Sequence, residues 1–378
     1  TRSTALSTII LMAGLVPAFA EQPAIEEIHV TARGWNELVQ DVPDMVTTFS
    51  AQDIKRQEIR TIEDLISRTP GVYMVNDQDP GTNIITVRGV STDRLQAPSV
   101  AYVIDGVPLA ETEFFTGRYF DVERIEVLKG PQGALYGKNA IGGVFNVVTR
   151  APTDTLQGRG EIGYGNGETG IVEAGIGGPL LGDRVTFRVA GLLHKTGGFI
   201  HNTYLDKDVD DFVSRNFRGR LIGKLSENLT ADLRLNLMDE EGGAAYVSSN
   251  NVTGLAAGRL QGDVLTDPFG DFEGEADRQW FSVSLKLDWE TQAGGRISSI
   301  SGFDDYSKDF IEELDFRNDK PITFFGIPFF PDGVQPIEQP KDIRVLTQEL
   351  RYTSPANQRL RWTAGAFLQD VENIRVDD

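Results

Sequence analysis

The 378-residue sequence contains no cysteine, so a disulfide framework, a thiolate metal site and a thiol nucleophile are all excluded. Histidine is scarce too: His29, His194 and His201 are the whole set, and their spacing shows no metal-ligand constellation. Basic residues are outnumbered, with 36 Lys and Arg against 56 Asp and Glu, a net charge of −20. That balance argues against nucleic acid and against anionic headgroups as principal partners. Beyond the first twenty residues no apolar run is long enough for a transmembrane helix.

What the N-terminus does hold is an export signal: Arg2, an apolar stretch from Ala5 to Val16, and Ala18-Phe19-Ala20 as a small-x-small cleavage pattern. An exported chain that enters a membrane without an apolar helix needs a closed barrel, because lipid satisfies no backbone polar group. Forty glycines suit tight turns and close backbone packing better than helix bundles.

The pattern changes near residue 150. Before it, helical and strand signals mix. Thr61 to Ser67 places Ile62, Leu65 and Ile66 on one helical face, with Thr61 as cap and Pro70-Gly71 as stop. Ile84–Val87, Val100–Ile104 and Ile125–Leu128 read as short buried strands, and Asp105-Gly106 as a hairpin turn. After residue 150 the apolar period becomes two. Phe281, Val283, Leu285, Leu287 and Trp289 alternate with Ser282, Ser284, Lys286 and Asp288, and Leu229 to Leu237 does the same.

Nine such strands are expected, at 157–166, 169–178, 184–195, 213–226, 229–239, 279–291, 295–307, 343–354 and 359–372. Short turns alternate with long connections between them, the usual arrangement of an outer-membrane barrel. Residues 195–212, 239–278 and 304–343 hold 23 acidic against 8 basic residues, so the charge collects on one side. Alternation by itself also suits a soluble β-rich binding protein of the periplasm. The segregated loops favour the membrane.

Several long motifs resemble one family in order. "EEIHVTARG" (26–34) looks like a TonB box, and "VPDMVTTFSAQDIKRQEIRTIEDLISRTPGV" like the opening strand and helix of a plug. "ITVRGV" (85–90), "VAYVIDGVPL" (100–109) and "DVERIEVLKGPQGALYGKNAIGGVFNVVTR" (121–150) are similar to its plug signatures, and "TQELRYTS" (347–354) to a wall strand. The chain thus resembles the TonB-dependent outer-membrane receptors. The resemblance implies an α+β plug domain followed by antiparallel transmembrane β-barrel strands, with 1–20 as signal, 21–35 as TonB box and linker, 36–150 as plug and 151–378 as barrel.

It also implies a function. A monomer in the outer membrane binds a scarce ligand, by default a ferric siderophore, without a cofactor or chemical conversion. It is energised by TonB and its inner-membrane motor complex through Glu27, Ile28, His29, Val30, Thr31 and Ala32. Only five residues separate the cleavage site from the box, which leaves no room there for a signalling domain. Arg88, Gly89, Asp105, Gly106, Lys129, Gly130, Gly133, Gly137, Gly142 and Gly143 form the plug signature. Arg88, Glu123, Arg124, Glu126 and Lys129 are read as charges on plug strands inside the lumen, where a charge-paired interface slides more readily than an apolar one.

Ligand contacts are expected at the plug apices, through Arg94, Gln96, Phe114, Phe115, Arg118 and Tyr119. The loop segment Phe324-Phe325-Gly326-Ile327-Pro328-Phe329-Phe330 offers four rings either to an aromatic or apolar ligand or to packing of the loop onto itself. Two look-alikes fail. Asp206 to Asp211 begins like a calcium loop but has Asp211 at the sixth position and Phe217 at the twelfth. The segment around Gly137-Lys138-Asn139 lacks the first glycine and final hydroxyl of a phosphate loop. Neither a nucleophile–base pair nor any other catalytic arrangement stands out, so an enzyme is not expected.

A plugged transporter has about 22 strands. At about 25 residues per strand, the 228 residues after position 150 supply fewer than half. Either the sequence is part of a longer chain or the gene is a truncated remnant whose open sheet cannot close.

Overall fold

A computed structural model describes residues 29–30, 37–38, 45–76, 83–91, 98–110, 117–242, 270–312, 322–324, 327–330 and 336–374. The first part is a small mixed domain. Its elements are β1 (Met45–Ser50), α1 (Ala51–Arg56), α2 (Ile62–Ser67), β2 (Val72–Asn76), β3 (Asn83–Val87) and β4 (Val90–Ser91). There follow β5 (Val100–Ile104), β6 (Val107–Pro108), β7 (Val122–Lys129), α3 (Gly133–Tyr136) and β8 (Gly143–Thr149).

The helices α1 and α2 each start on a capping box. Ser50 and Asp53 satisfy one another's backbone N–H at α1, and Thr61 and Asp64 do so at α2. The expected helix at 61–67 is therefore present, with Ile62, Leu65 and Ile66 all buried. They pack with Ile59, Ile125, Phe145 and Val147 in one core, where each buried large apolar side chain contributes about 1.5–3 kcal/mol. Tyr102 stacks on Phe145 with ring centroids 5.2 Å apart.

Two sheets organise this domain: β1-β7-β8-β5-β6, in which only β8 and β5 run parallel, and the meander β2-β3-β4. Between β5 and β6, Asp105 and Gly106 have φ of 51° and 89°, which fits the expected two-residue hairpin. Arg88 corrects one expectation. It sits not on a strand but on the β3–β4 turn, with φ 51° beside Gly89 at 83°.

The second part is one continuous antiparallel sheet in sequence order. Its strands are β9 (Gln157–Gly165), β10 (Thr169–Leu181), β11 (Val185–Thr196), β12 (Phe212–Lys224) and β13 (Leu229–Gly242). Then come β14 (Glu275–Glu290), β15 (Arg296–Glu312), β16 (Lys341–Thr353) and β17 (Thr363–Ile374). All nine expected strands exist. Several run further toward the long connections, β13 to Gly242 and β15 to Glu312, because polar hairpins continue the ladder after the apolar alternation stops. Residues 359–362 belong to the preceding turn rather than to the last strand.

Register puts the apolar residues in rows. Leu233 faces Leu285, Leu235 faces Val283, and Leu237 faces Phe281. Leu233, Leu237, Phe281 and Leu285 remain 37–43% exposed on this outer side, as a lipid-facing wall requires. Near the short turns Tyr352 and Trp362 meet at 5.0 Å, in the position of an aromatic girdle.

Candidate functional site at the interface of plug and wall

The inward positions of β11, β12 and β13 carry Arg188, Arg218, Arg220, Asp232 and Arg234. Each arginine reaches into the first domain. Arg188 grips the Asp121 carboxylate with Nε at 2.7 Å from Oδ2 and with Nη2 on Oδ1, and both side chains are buried. Arg218 donates to the Phe120 carbonyl at 2.8 Å, and its guanidinium lies 4.5 Å from the centre of the Phe120 ring. Arg220 donates to the Thr149 carbonyl at 3.1 Å, and Arg234 to the Asp105 carbonyl at 2.7 Å. Asp232 accepts from both Arg220, at 2.8 Å, and Arg234, at 2.6 Å, which fixes the two guanidinium planes.

The receiving segments are rigid for their own reasons. Asp105 follows β5 and accepts from the Thr149 backbone N–H at 2.9 Å and its hydroxyl at 2.6 Å, so the hairpin turn is stitched to the end of β8. Burial alone would raise the Asp105 pKa. Arg234, Arg220 and the two Thr149 hydrogen bonds outweigh it and hold the carboxyl below its ordinary value. Asp121 receives Arg159 at 3.9 Å as well, and its N–H donates to Glu173 at 3.3 Å. Four arginines, the Asp121 carboxylate and three carbonyls thus hold the small domain against β11, β12 and β13, with Arg159 of β9 and Glu173 of β10 adding to the grip on Asp121.

The plug-signature residues form a second, internal network. Glu126 is fully buried on β7 and accepts from Arg124 at 2.7 Å and from Asn146 at 2.9 Å. Glu123 accepts from Arg124 at 3.0 Å, and Lys129 donates to the Pro70 carbonyl at 2.9 Å. Gly143 is the glycine whose place is demanded by space: a Cβ there would run into the Leu128 carbonyl. Gly130 and Gly137 have positive φ, Gly142 has ordinary van der Waals room, and Gly133 faces open space.

At the end of the sheet carrying the long connections, another inward group gathers. Arg278 pairs with Glu240 at 2.7 Å, Ser214 donates to Glu240 at 2.9 Å, and the Trp280 indole donates to Asp304 at 3.0 Å. Tyr306 and Phe310 are buried beside them, with Lys308 lying 5.3 Å from the Phe310 ring centre. Gly117, at the rim of a plug apex, abuts Met238 and Glu240.

Of the expected ligand contacts, Arg118 reaches His194 at 3.5 Å and Tyr119 packs against the plug core. Arg94, Gln96, Phe114, Phe115 and Phe325 lie outside the described residues. Phe324, Phe329 and Phe330 belong not to an open loop but to an antiparallel hairpin, Ile322–Phe324 with Ile327–Phe330. His29–Val30 pairs with Glu37–Leu38 in a two-residue ladder, while Glu27, Ile28, Thr31 and Ala32 lie outside the described residues. In the calcium-like segment, Asp210 is occupied in holding the backbone N–H groups of Phe199 and Ile200, both at 2.7 Å. The wall arginines were missed in the sequence. Their signal was present, since all four stand at inward positions of period-two strands.

A small mixed domain clasped to the concave, charged face of an amphipathic antiparallel sheet defines the class: a plugged outer-membrane β-barrel. Residues 38–144 match the family model described as TonB-dependent Receptor Plug Domain. The chain is 26% identical over 286 residues to the iron-regulated outer membrane virulence protein of Vibrio cholerae, covering 70% of this chain and 40% of that protein. It is 28% identical over 300 residues to the vitamin B12 transporter BtuB of Vibrio vulnificus, covering 77% and 43%. Its fold superposes on the ferric yersiniabactin uptake receptor FyuA of Yersinia pestis with a TM-score of 0.73 at 21% identity, covering 87% and 49%. Residues 38–144 thus carry the plug domain of TonB-dependent receptors, and the chain spans about half the length or less of these relatives.

Proposed function

We propose that this chain is the plug and leading wall of a transporter that takes up a scarce ligand, by default a ferric siderophore, across the outer membrane. The observation that carries the reading is the clasp. A plug held to its wall by charge-assisted hydrogen bonds, rather than by an apolar seam, exchanges its partners for water when it moves. Residues 1–20 act as the export signal, 21–35 as coupling segment, 36–150 as plug and 151–378 as wall. In this reading Glu27 to Ala32 present a strand to TonB, and an added strand recognises its partner chiefly through main-chain hydrogen bonds.

Ligand is received at the outer vestibule by Arg94, Gln96, Phe114, Phe115, Arg118 and Tyr119, together with the hairpin phenylalanines Phe324, Phe325, Phe329 and Phe330. The names of the relatives, which speak of iron, a ferric chelate and vitamin B12, support a scarce metal-bearing ligand.

The test uses the full-length protein in cells. Proline at Ile28 or Val30 removes a ladder donor. Ile28→Pro and Val30→Pro are expected to abolish accumulation of radioiron chelates while leaving binding at the cell surface unchanged. Normal accumulation by either variant would overturn the coupling assignment.

A further inference from the structure

The molecule's surplus of acid is reversed at one short turn. At the end of the sheet away from the long connections, three of the four turns carry acid and base together: Asp183 with Arg184, Glu227 with Lys224, and Glu290 with Arg296 at 3.9 Å. The fourth, residues 354–362 between β16 and β17, reads Ser-Pro-Ala-Asn-Gln-Arg-Leu-Arg-Trp and holds two arginines and no acid. It is a closed turn. Ser354 donates its N–H to the Trp362 carbonyl at 2.9 Å, and its hydroxyl accepts from the Trp362 N–H at 2.8 Å.

This turn sits at the rim of the lipid-facing wall. Tyr352 continues the outer-face row Leu229–Trp289–Ile297–Tyr352, and the Trp362 ring meets it at 5.0 Å. Outward Trp and Tyr concentrate where hydrocarbon gives way to headgroups. Between the two arginines Leu360 is 73% exposed, so no part of the protein covers it. A leucine and an aromatic ring interleaved with guanidinium groups suit a boundary, apolar groups toward acyl chains and cations toward phosphate.

We propose that this turn binds an anionic phospholipid of the periplasmic leaflet. Arg359 takes the phosphate in the fork geometry of a guanidinium, and the first acyl carbons lie on Leu360, Trp362 and Tyr352. Arg361, which is also held within the protein, adds its charge at the same place. A zwitterionic headgroup is selected against, because its ammonium meets the two arginines. The occupied site fixes the depth of β16 and β17 in the bilayer. It depends on the wall facing lipid and not on transport. Elsewhere the net charge of −20 disfavours anionic headgroups, so the preference is local.

The full-length protein is reconstituted in phosphatidylcholine vesicles containing increasing fractions of phosphatidylglycerol with brominated chains, or of brominated phosphatidylcholine. Bromine quenches adjacent tryptophan, and the difference between the protein and its Trp362→Phe variant reports Trp362. Half-quenching is expected at a clearly lower fraction of phosphatidylglycerol than of phosphatidylcholine. Arg359→Gln is expected to weaken that preference about fivefold, the equivalent of about 1 kcal/mol for one cation near a charged surface, whereas Arg359→Lys keeps most of it. Arg184→Gln, on a turn that also holds Asp183, is expected to change nothing. Equal quenching by the two lipids, a preference that survives Arg359→Gln, or an equal loss in Arg184→Gln overturns the site.

Discussion

Asp121 and Arg188 show what a single charge does at this interface. Both are buried, so removing Arg188 leaves a dehydrated carboxylate with only the more distant Arg159, a loss of up to about 3–5 kcal/mol. Arg188→Ala is expected to lower the unfolding free energy of the full-length protein by about that amount, while Asp121→Asn with Arg188→Met loses much less. Chemical denaturation in detergent checks the cycle, and equal losses in both variants would contradict the clasp. Asp105 adds a pH dependence. Its folded-state pKa is depressed, so its contribution is present above the ordinary carboxylate value and disappears as pH falls through the lower, folded one. Limited proteolysis of the plug is expected to accelerate below about pH 4, and Thr149→Val, which removes one hydrogen bond, is expected to move that onset upward. The turn at Asp105-Gly106 was legible in the sequence because two positive φ angles in succession favour that dipeptide. Arg218 and Arg234 were not, because a polar inward face does not say which of its members touch another domain.

At the scale of elements, legibility followed environment. All nine wall strands were readable, since lipid outside and water or plug inside enforce a period of two over about ten residues. Strand β8 escaped a reading from the residues because it is covered on both sides and carries Gly143 and Asn146 among its valines. There the family motif, not periodicity, signalled ordered structure. The short hairpin of Ile322–Phe324 with Ile327–Phe330 escaped as well, being mostly apolar with no alternation to read. The wall's outer face yields a direct test. Leu235→Arg, centred in the apolar row of β13, is expected to reduce stability of the membrane-inserted protein by about 2–4 kcal/mol. Asn236→Arg, one residue along on the inward face, is expected to cost far less. Folding titrations into lipid vesicles measure both, and equal costs would contradict a lipid-facing assignment for this side.

For the molecule as a whole, acidic residues and long connections share one end of the sheet, whereas arginines dominate the clasp nearer the short turns. The polarity matches a receptor that meets its ligand in the outer vestibule and hands it past a plug held by cationic wall residues. Plug and wall were legible as separate units from the change of pattern near residue 150, but their mutual contacts were not, because they join residues far apart in sequence. Energised uptake is the central claim, and its most direct measurement compares radioiron chelate binding and accumulation by the full-length protein in cells with and without TonB. Equal surface binding is expected in both, and accumulation only where TonB is present. Equal accumulation in both strains would contradict it.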